Sequence, residues 1–144
     1  MKITDNFTKE EFEKSSTAKQ LKIDNAVPDE FMDNLYRLAE QLQIIRDTWK
    51  APIIITSGYR SPELNKAVKG AKNSDHKFAA AADIKTKEGD KESIKRLWIT
   101  ITCMVKLGKL NCRQIINEYD NSWIHISVNN NNNSYKTNQI LYIK

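Results

Sequence analysis

Apolar residues recur at alternating steps of four and three between residues 31 and 49. This spacing places them on one face of a long helix, and Pro28-Asp29-Glu30 just before them is typical of a helix start. A second apolar pattern of this kind predicts a helix that starts near Asp90 and stops at Gly108. The apolar positions are Phe31, Leu35, Leu38, Leu42, Ile45 and Trp49 in the first helix, and Ile94, Leu97, Trp98, Ile101 and Val105 in the second.

Shorter β-prone stretches predict strands around these helices. The first covers residues 52–57, and a short helix over residues 61–68, closed by Gly70, follows it. We expect the five asparagines 129–133 to form a mobile hairpin loop, and not a site, because nothing in the run can be ordered by burial. The order of elements predicts an α+β fold with a small, mostly antiparallel sheet and helices packed on one side. The other predicted strands are residues 80–85, 113–118, 123–128 and 139–143.

Length and composition predict a single domain over residues 1–144. With 40% apolar and 28% charged residues, the chain can bury one core but has no room for a second domain of ordinary size. No apolar stretch approaches the length of a membrane span, and residues 1–5 lack the apolar core of a signal peptide. We therefore expect a monomer that is cytoplasmic when made and does not insert into a membrane.

The net charge of +5 does not by itself identify a partner. The lysines are scattered, and no basic cluster with interleaved aromatic residues is present, so we expect no nucleic-acid partner. Cys103 and Cys112 do not have the spacing of a metal site, and in the cytoplasm both are expected to stay reduced.

The chemistry of the chain is concentrated around its only two histidines, His76 and His125. Asp83 stands seven residues after His76. Two imidazoles and one carboxylate, with one coordination position left open for water, are the ligands that a catalytic zinc ion requires. Each residue alone has an ordinary explanation, as a loop histidine, a strand histidine and a strand-end carboxylate. Together they indicate a Zn²⁺ site, which we expect on the open face of the sheet.

Longer stretches of the sequence resemble the M15 family of zinc peptidases, which includes D-Ala-D-Ala carboxypeptidases and phage peptidoglycan endopeptidases. The resemblance extends from about residue 5 to the final strand and is strongest for the small phage-type members. The stretches that carry it are Asn6–Phe12, Ile55–Val68, Ser74-x-His76, Ala82-Asp83-Ile84 and Trp123–Ser127.

This resemblance implies a zinc-dependent peptidase that cuts a peptide bond in the peptidoglycan stem or cross-link. The two histidines and Asp83 would bind the zinc ion, and Arg60 would lie at the mouth of the site. Its planar guanidinium could hold a substrate carboxylate or steady the oxyanion. Tyr59 and Ser74 are weaker candidates for lining the substrate pocket. The resemblance also implies a phage or prophage lysis enzyme, an endolysin, that acts on the cell wall after release.

The chain departs from the family pattern at two places. Ala79 stands where the family usually has a glycine, and we expect an ordinary backbone conformation or a slightly wider turn there. The segment between Glu118 and His125 is longer than usual. This second departure affects the identity of the general base.

A peptidase of this kind needs a carboxylate that takes a proton from the zinc-bound water and passes it to the departing amine. Glu118 is the favoured candidate, because it ends an apolar strand and the family commonly keeps an acid just before the turn into the last histidine. Asp120 is the alternative, although Asp120-Asn121-Ser122 is also typical of a turn stabilised by its own side chains. If neither acts as a base, the chain would be a catalytically silent zinc-bearing binding domain of the same fold.

Overall fold

Five strands form one open sheet in the order β1-β2-β4-β3-β5 in the computed structural model, which describes residues 1–144. The pairs β1/β2, β2/β4 and β3/β4 are antiparallel, and β5 lies parallel to β3. The predicted α+β fold with a mostly antiparallel sheet is therefore confirmed. The strands are β1 (Ile53–Ser57), β2 (Ala81–Thr86), β3 (Gln114–Glu118), β4 (Trp123–Ser127) and β5 (Gln139–Tyr142).

Both long helices occur where their apolar periodicity predicts them. A 3₁₀ turn over Asp29–Phe31 leads into the first, and the side chain of Asp90 caps the second by accepting a hydrogen bond from the Ser93 N–H at 3.3 Å. None of the five α-helices combines the length and the apolarity of a membrane span. The helices are α1 (Lys9–Glu13), α2 (Ser16–Leu21), α3 (Met32–Trp49), α4 (Pro62–Ala67) and α5 (Lys91–Lys106).

The hydrophobic core lies between α3, α5 and one face of the sheet. Because side chains alternate between the two faces of a strand, β2 and β4 each send every second residue into this core. The opposite face of the same strands carries Asp83 and His125. The core residues are Leu35, Leu38, Leu42 and Ile45 of α3, Ile94, Leu97 and Ile101 of α5, and Ala82, Ile84, Ile115, Ile124 and Ile126 of the sheet.

The turn after α4 does not use a left-handed glycine, although the sequence predicted that Gly70 closes this helix. Lys69 takes the left-handed conformation, with φ of 58°, and Gly70 does not. Gly70 is needed for space, because a Cβ atom there would lie 2.0 Å from the Asn65 side-chain oxygen. Gly108 after α5 does adopt a positive φ of 71°, as predicted for a helix-ending glycine.

Two further features differ from the sequence prediction. Helices α1 and α2 were not predicted, although Thr8 and Glu11 form a capping box that starts α1. The segment between β4 and β5 is not a hairpin, because β5 pairs with β3 instead of β4. Its asparagines are held by hydrogen bonds, since Asn130 and Asn133 donate to Asp75. The expectation that nothing could order this run was wrong because it considered burial alone.

Candidate metal centre and catalytic cleft

Asp83 and His125 face each other across the pairing of β2 and β4. The two residues are direct partners in the antiparallel register, and they share the sheet face that points away from the core. His125 Nδ1 lies 3.0 Å from Asp83 Oδ1. Strand register alone therefore brings together two predicted ligands that are 42 residues apart in the sequence.

His76 reaches the same point from a 3₁₀ helix over Asp75–Phe78. Ser74 caps this helix by accepting a hydrogen bond from the His76 N–H at 3.2 Å. His76 Nδ1 lies 2.7 Å from the Gly58 carbonyl oxygen, and its Nε2 lies 3.4 Å from Asp83 Oδ1. A carbonyl can only accept, so Nδ1 carries a proton, and Nε2 is the ring nitrogen that faces Asp83. Metal-binding histidines are commonly oriented in this way.

The three side chains fit a zinc ion. One donor atom from each of His76, Asp83 and His125 lies within 4.8 Å of the other two. His76 and Asp83 are buried. Two imidazole nitrogens and one carboxylate oxygen that converge in this way match the ligand preference of Zn²⁺, with further coordination positions left for water or substrate.

The electrostatics favour an ionised Asp83. Burial by itself would raise the pKa of Asp83, but the charge of His76 and hydrogen bonds from His125 and His76 outweigh it and hold this pKa well below its usual value. Burial lowers the pKa of His125, whereas the hydrogen bond and the charge of Asp83 raise it, and the net shift is upward. The carboxylate is therefore present in the charged form that binds a cation.

Ala79 connects the His76 helix to β2 through a left-handed residue. Its φ is 55° and its ψ is 30°, so the ordinary conformation expected from the sequence was wrong. This residue is buried and its N–H donates to the His76 carbonyl at 3.4 Å. The chain thus keeps the sharp turn for which glycine is suited, at the cost of placing a Cβ atom in a disfavoured region.

The guanidinium of Arg60 lies beside the Asp83 carboxylate. Its Nη2 is 3.7 Å from Asp83 Oδ2, while its Nε donates to Ser57 Oγ at 3.2 Å and its Nη1 to Asn65 Oδ1 at 3.3 Å. Burial lowers the pKa of Arg60, and the charges of Asp83 and Glu118 partly offset this effect. Arg60 is therefore close to the ligands and is oriented by three side chains.

Glu118 ends β3 on the same sheet face as His125. It is paired with Trp123 across the β3/β4 hairpin, and the Trp123 indole N–H donates to Glu118 Oε2 at 2.7 Å. Glu118 and His125 both line an open cleft of about 260 Å³. The other residues that line this cleft are Ala71, Asn73, Ser74, Asp75, Arg113, Gln114, Ile116 and Asn133.

Asp120 points in another direction. It is exposed on the hairpin turn, where its side chain accepts a hydrogen bond from the Tyr142 hydroxyl and its N–H donates to the Ile143 carbonyl at 2.9 Å. It does not line the cleft that contains His125. Of the two predicted candidates for the base, the structure places Glu118 in the cleft that His125 lines and directs Asp120 toward β5.

The fold places Ser74 and Tyr59, the two weaker candidates for lining the substrate pocket, in different grooves. Ser74 lines the cleft, but its hydroxyl is the cap of the His76 helix. Tyr59 is buried in the hydrophobic core and lines a different groove, on the α2 and α4 side of Arg60. Burial raises the pKa of its hydroxyl. The structure thus does not bring Tyr59 to the cleft where His125 and Glu118 meet.

A buried ion pair beside the ligands was not predicted. Arg113 Nη1 donates to Asp75 Oδ2 at 2.9 Å, and both side chains are almost fully buried. The other Asp75 oxygen accepts from Asn130 and Asn133, and Arg113 Nε donates to the Ser134 carbonyl at 2.7 Å. Asp75 precedes His76 in the chain, so this network fixes the ligand helix to β3. The sequence contains no signal that pairs residues 75 and 113.

A cluster of two histidines and one carboxylate, with a further carboxylate in the cleft that His125 lines, is the arrangement expected of a metal-dependent hydrolase. A family model described as Peptidase M15 matches residues 5–127, which include the three candidate ligands, Arg60 and Glu118. The chain therefore belongs to the M15 peptidase family and acts on a peptide substrate. Peptidases of this family are typically zinc-dependent. No curated protein matches the chain.

Proposed function

We propose that this protein is a zinc-dependent peptidase that hydrolyses a peptide bond in the stem or cross-link of peptidoglycan. In this proposal His76, Asp83 and His125 bind the zinc ion, and Glu118 is the general base. One observation carries the proposal: three donor atoms converge within 4.8 Å of one another, and one of these residues, His125, lines a cleft that also contains the Glu118 carboxylate. The family membership supports the reaction class.

The chemistry divides between the metal and Glu118. When bound, zinc supplies a Lewis acid that lowers the pKa of water and polarises the scissile carbonyl. Glu118 Oε2 is held by the Trp123 indole at 2.7 Å, and Oε1 has no hydrogen-bond partner within the protein. Oε1 is therefore the atom that accepts a proton from the attacking water and returns it to the departing amine. A carbon–oxygen bond forms, the carbon–nitrogen bond breaks, and the products are a carboxylate and an amine.

Arg60 has two roles in this proposal. It keeps the Asp83 carboxylate in place through the 3.7 Å contact of its Nη2. It also places a positive charge beside the centre, where negative charge develops as the carbonyl becomes tetrahedral. Its guanidinium is itself oriented by Ser57 and Asn65, so little reorganisation is needed during the reaction.

The biological setting is part of the same proposal. A single domain over residues 1–144, acting as a monomer, would be made in the cytoplasm and would reach the wall after release. This description fits a phage or prophage endolysin. The resemblance of the sequence to small phage-type M15 peptidases supports this setting.

Digestion of purified peptidoglycan tests the proposal directly. We expect the protein with zinc to release new peptide termini, and a chelator to stop the release. Mass spectrometry of the products separates the two modes of action, because a carboxypeptidase liberates a terminal D-Ala whereas an endopeptidase opens an internal bond. No cleavage of peptidoglycan in the presence of zinc would contradict the proposal and favour the catalytically silent binding domain.

A matched pair of variants tests the general base. Glu118→Gln keeps size and the hydrogen bond from Trp123 but abolishes basicity, so we expect zinc content and melting to stay near wild type while hydrolysis falls by roughly 100-fold or more. Asp120→Asn is the control and should remain active. An inactive Asp120→Asn protein with an active Glu118→Gln protein would move the base to Asp120.

A further inference from the structure

The turn between Glu118 and Trp123 has an unusual backbone. Its three successive residues Tyr119, Asp120 and Asn121 all have positive φ, at 51°, 52° and 64°, and none is a glycine. Residues with a Cβ atom disfavour this left-handed region, and a run of them persists only where the surroundings fix the backbone.

Asn117 fixes the turn from inside the sheet. Its side chain is fully buried, yet both of its polar groups are used by one residue of the turn. Asn117 Oδ1 accepts from the Asn121 N–H at 2.8 Å, and Asn117 Nδ2 donates to Asn121 Oδ1 at 2.7 Å. A buried amide with this pairing holds the turn in a single conformation, because any other would leave buried polar groups without partners.

The end of β5 fixes the turn from outside. The Asp120 N–H donates to the Ile143 carbonyl at 2.9 Å, and the Tyr142 hydroxyl donates to the Asp120 carboxylate. Tyr142 is held in turn by an edge-to-face contact with Trp98, with ring centroids 6.3 Å apart. Residues 142 and 143 lie outside the part of the chain that matches the family.

The turn controls the position of Glu118 because Glu118 is the residue immediately before it and Trp123 begins the strand after it. Their direct pairing and the 2.7 Å bond from the Trp123 indole both depend on how residues 119–122 close the hairpin. We propose that Asn117 and Tyr142 are positioning residues, which hold Glu118 at the cleft by locking this left-handed turn. The inference rests on the proposed function, in which Glu118 is the general base.

The principal test is Asn117→Ala in the full-length chain. We expect kcat to fall by about 10-fold to 100-fold, because a small misplacement of a catalytic group is enough for a loss of this size. Zinc content and KM should stay within about twofold of wild type, since the substitution touches neither the ligands nor the substrate. Tyr142→Phe removes a single hydroxyl group and should lower kcat in the same direction by a smaller factor.

Asn138→Ala is the matched control. Asn138 also has a positive φ, at 46°, and its side chain also makes two hydrogen bonds, with the Leu110 carbonyl at 2.9 Å and the Cys112 N–H at 2.7 Å. It lies before β5, at the other end of β3. Loss of this amide should lower the melting temperature and leave kcat unchanged. Equal loss of kcat in Asn138→Ala and Asn117→Ala would show that the turn is only structural and would overturn the inference.

A measurement that does not depend on activity separates this inference from the proposed function. The chain has three tryptophans, so the indole N–H of Trp123 can be assigned in an NMR spectrum with a Trp123→Phe variant. In Asn117→Ala, or in Tyr142→Phe if the first variant does not fold, this N–H should exchange faster with solvent than in Asn138→Ala. Unchanged exchange together with full activity overturns the positioning role. Faster exchange in a protein that cuts no peptidoglycan overturns only the proposed function.

Discussion

The two sides of the cleft are built by different means. On the ligand side, His76 and Asp83 come from one short stretch of chain, and the antiparallel register places His125 opposite Asp83. On the base side, Glu118 depends on a left-handed turn that is held by Asn117 and by the end of β5. The ligand side is thus determined by a short 3₁₀ helix and by strand register, whereas the base side depends on hydrogen bonds that hold one turn.

Because of this difference, metal binding and turnover should respond differently to substitutions. Metal binding should survive changes on the base side, because no hydrogen bond joins any of the three candidate ligands to the turn. Turnover should be sensitive to both sides. Substitutions can therefore be chosen that remove the metal, that remove catalysis with the metal retained, or that change stability alone.

Removal of a ligand should have the largest effect. We expect His125→Ala to lose zinc and all measurable activity, while Glu118→Gln keeps its zinc. Elemental analysis of both purified proteins measures the zinc that each retains. Zinc should also stabilise the wild type by about 4 kcal/mol when its concentration is roughly 1,000-fold above Kd, and this gain should vanish in the ligand variant. Full zinc occupancy in His125→Ala would mean that the ligands are assigned wrongly.

Arg60→Ala should have the next largest effect on turnover. The contribution of a donor aimed at developing negative charge is about 3 to 4 kcal/mol, so we expect kcat to fall by roughly two to three orders of magnitude with zinc retained. Lysine should rescue poorly, because one ammonium cannot replace the donors that contact Asp83, Ser57 and Asn65 together. Steady-state kinetics and zinc analysis of the same protein measure turnover and metal content. Wild-type turnover in Arg60→Ala would show that Arg60 is an ordinary, partly exposed arginine.

The two long helices and the convergence of the candidate ligands were predictable from sequence, because periodicity and residue type can be read without the tertiary fold. Helices α3 and α5 follow from apolar periodicity, and the ligand set follows from residue types that zinc prefers. The pairing of Asp75 with Arg113 was not predictable, since it joins residues 38 positions apart through the tertiary fold. The parallel pairing of β5 was missed for the same reason. The choice between Glu118 and Asp120 depends on such contacts as well. The left-handed conformation of Ala79 was missed because it is disfavoured for a residue with a Cβ atom.

Arg113→Met tests the buried ion pair beside the ligands. Removing one partner leaves the Asp75 carboxylate buried without its counter-ion, so we expect the free energy of unfolding to fall by about 3 kcal/mol. Urea denaturation measures the change. The double variant with Asp75→Asn should recover part of the loss. Arg96→Ala, which removes an exposed pair with Glu92, should cost about 0.5 kcal/mol or less. Equal losses in Arg113→Met and Arg96→Ala would contradict this account.

Ala79→Gly should have the smallest effect, because two terms of similar size oppose each other. Relief of the left-handed conformation is worth about 1 kcal/mol. Loss of a buried methyl group costs about 0.8 kcal/mol. We expect the free energy of unfolding to change by less than about 0.5 kcal/mol, whereas Ala79→Val should be clearly destabilising since a β-branched residue does not tolerate this backbone. A neutral Ala79→Val would show that the turn can relax.

The parallel pairing of β5 with β3 has a consequence for the order of folding. The β3/β4 hairpin closes over a few residues, but β5 pairs with residues 25 positions before it, as Gln139 does with Gln114. Pairing over such a separation requires a longer loop to close and is slower than local pairing. The pairing that places Asp83 opposite His125 joins residues 42 positions apart, which is a still longer separation. We therefore expect the turn beside Glu118 to be locked before His125 meets the other two candidate ligands. A newly folding chain would hold Glu118 in place first and bind its metal only when β2 and β4 have paired.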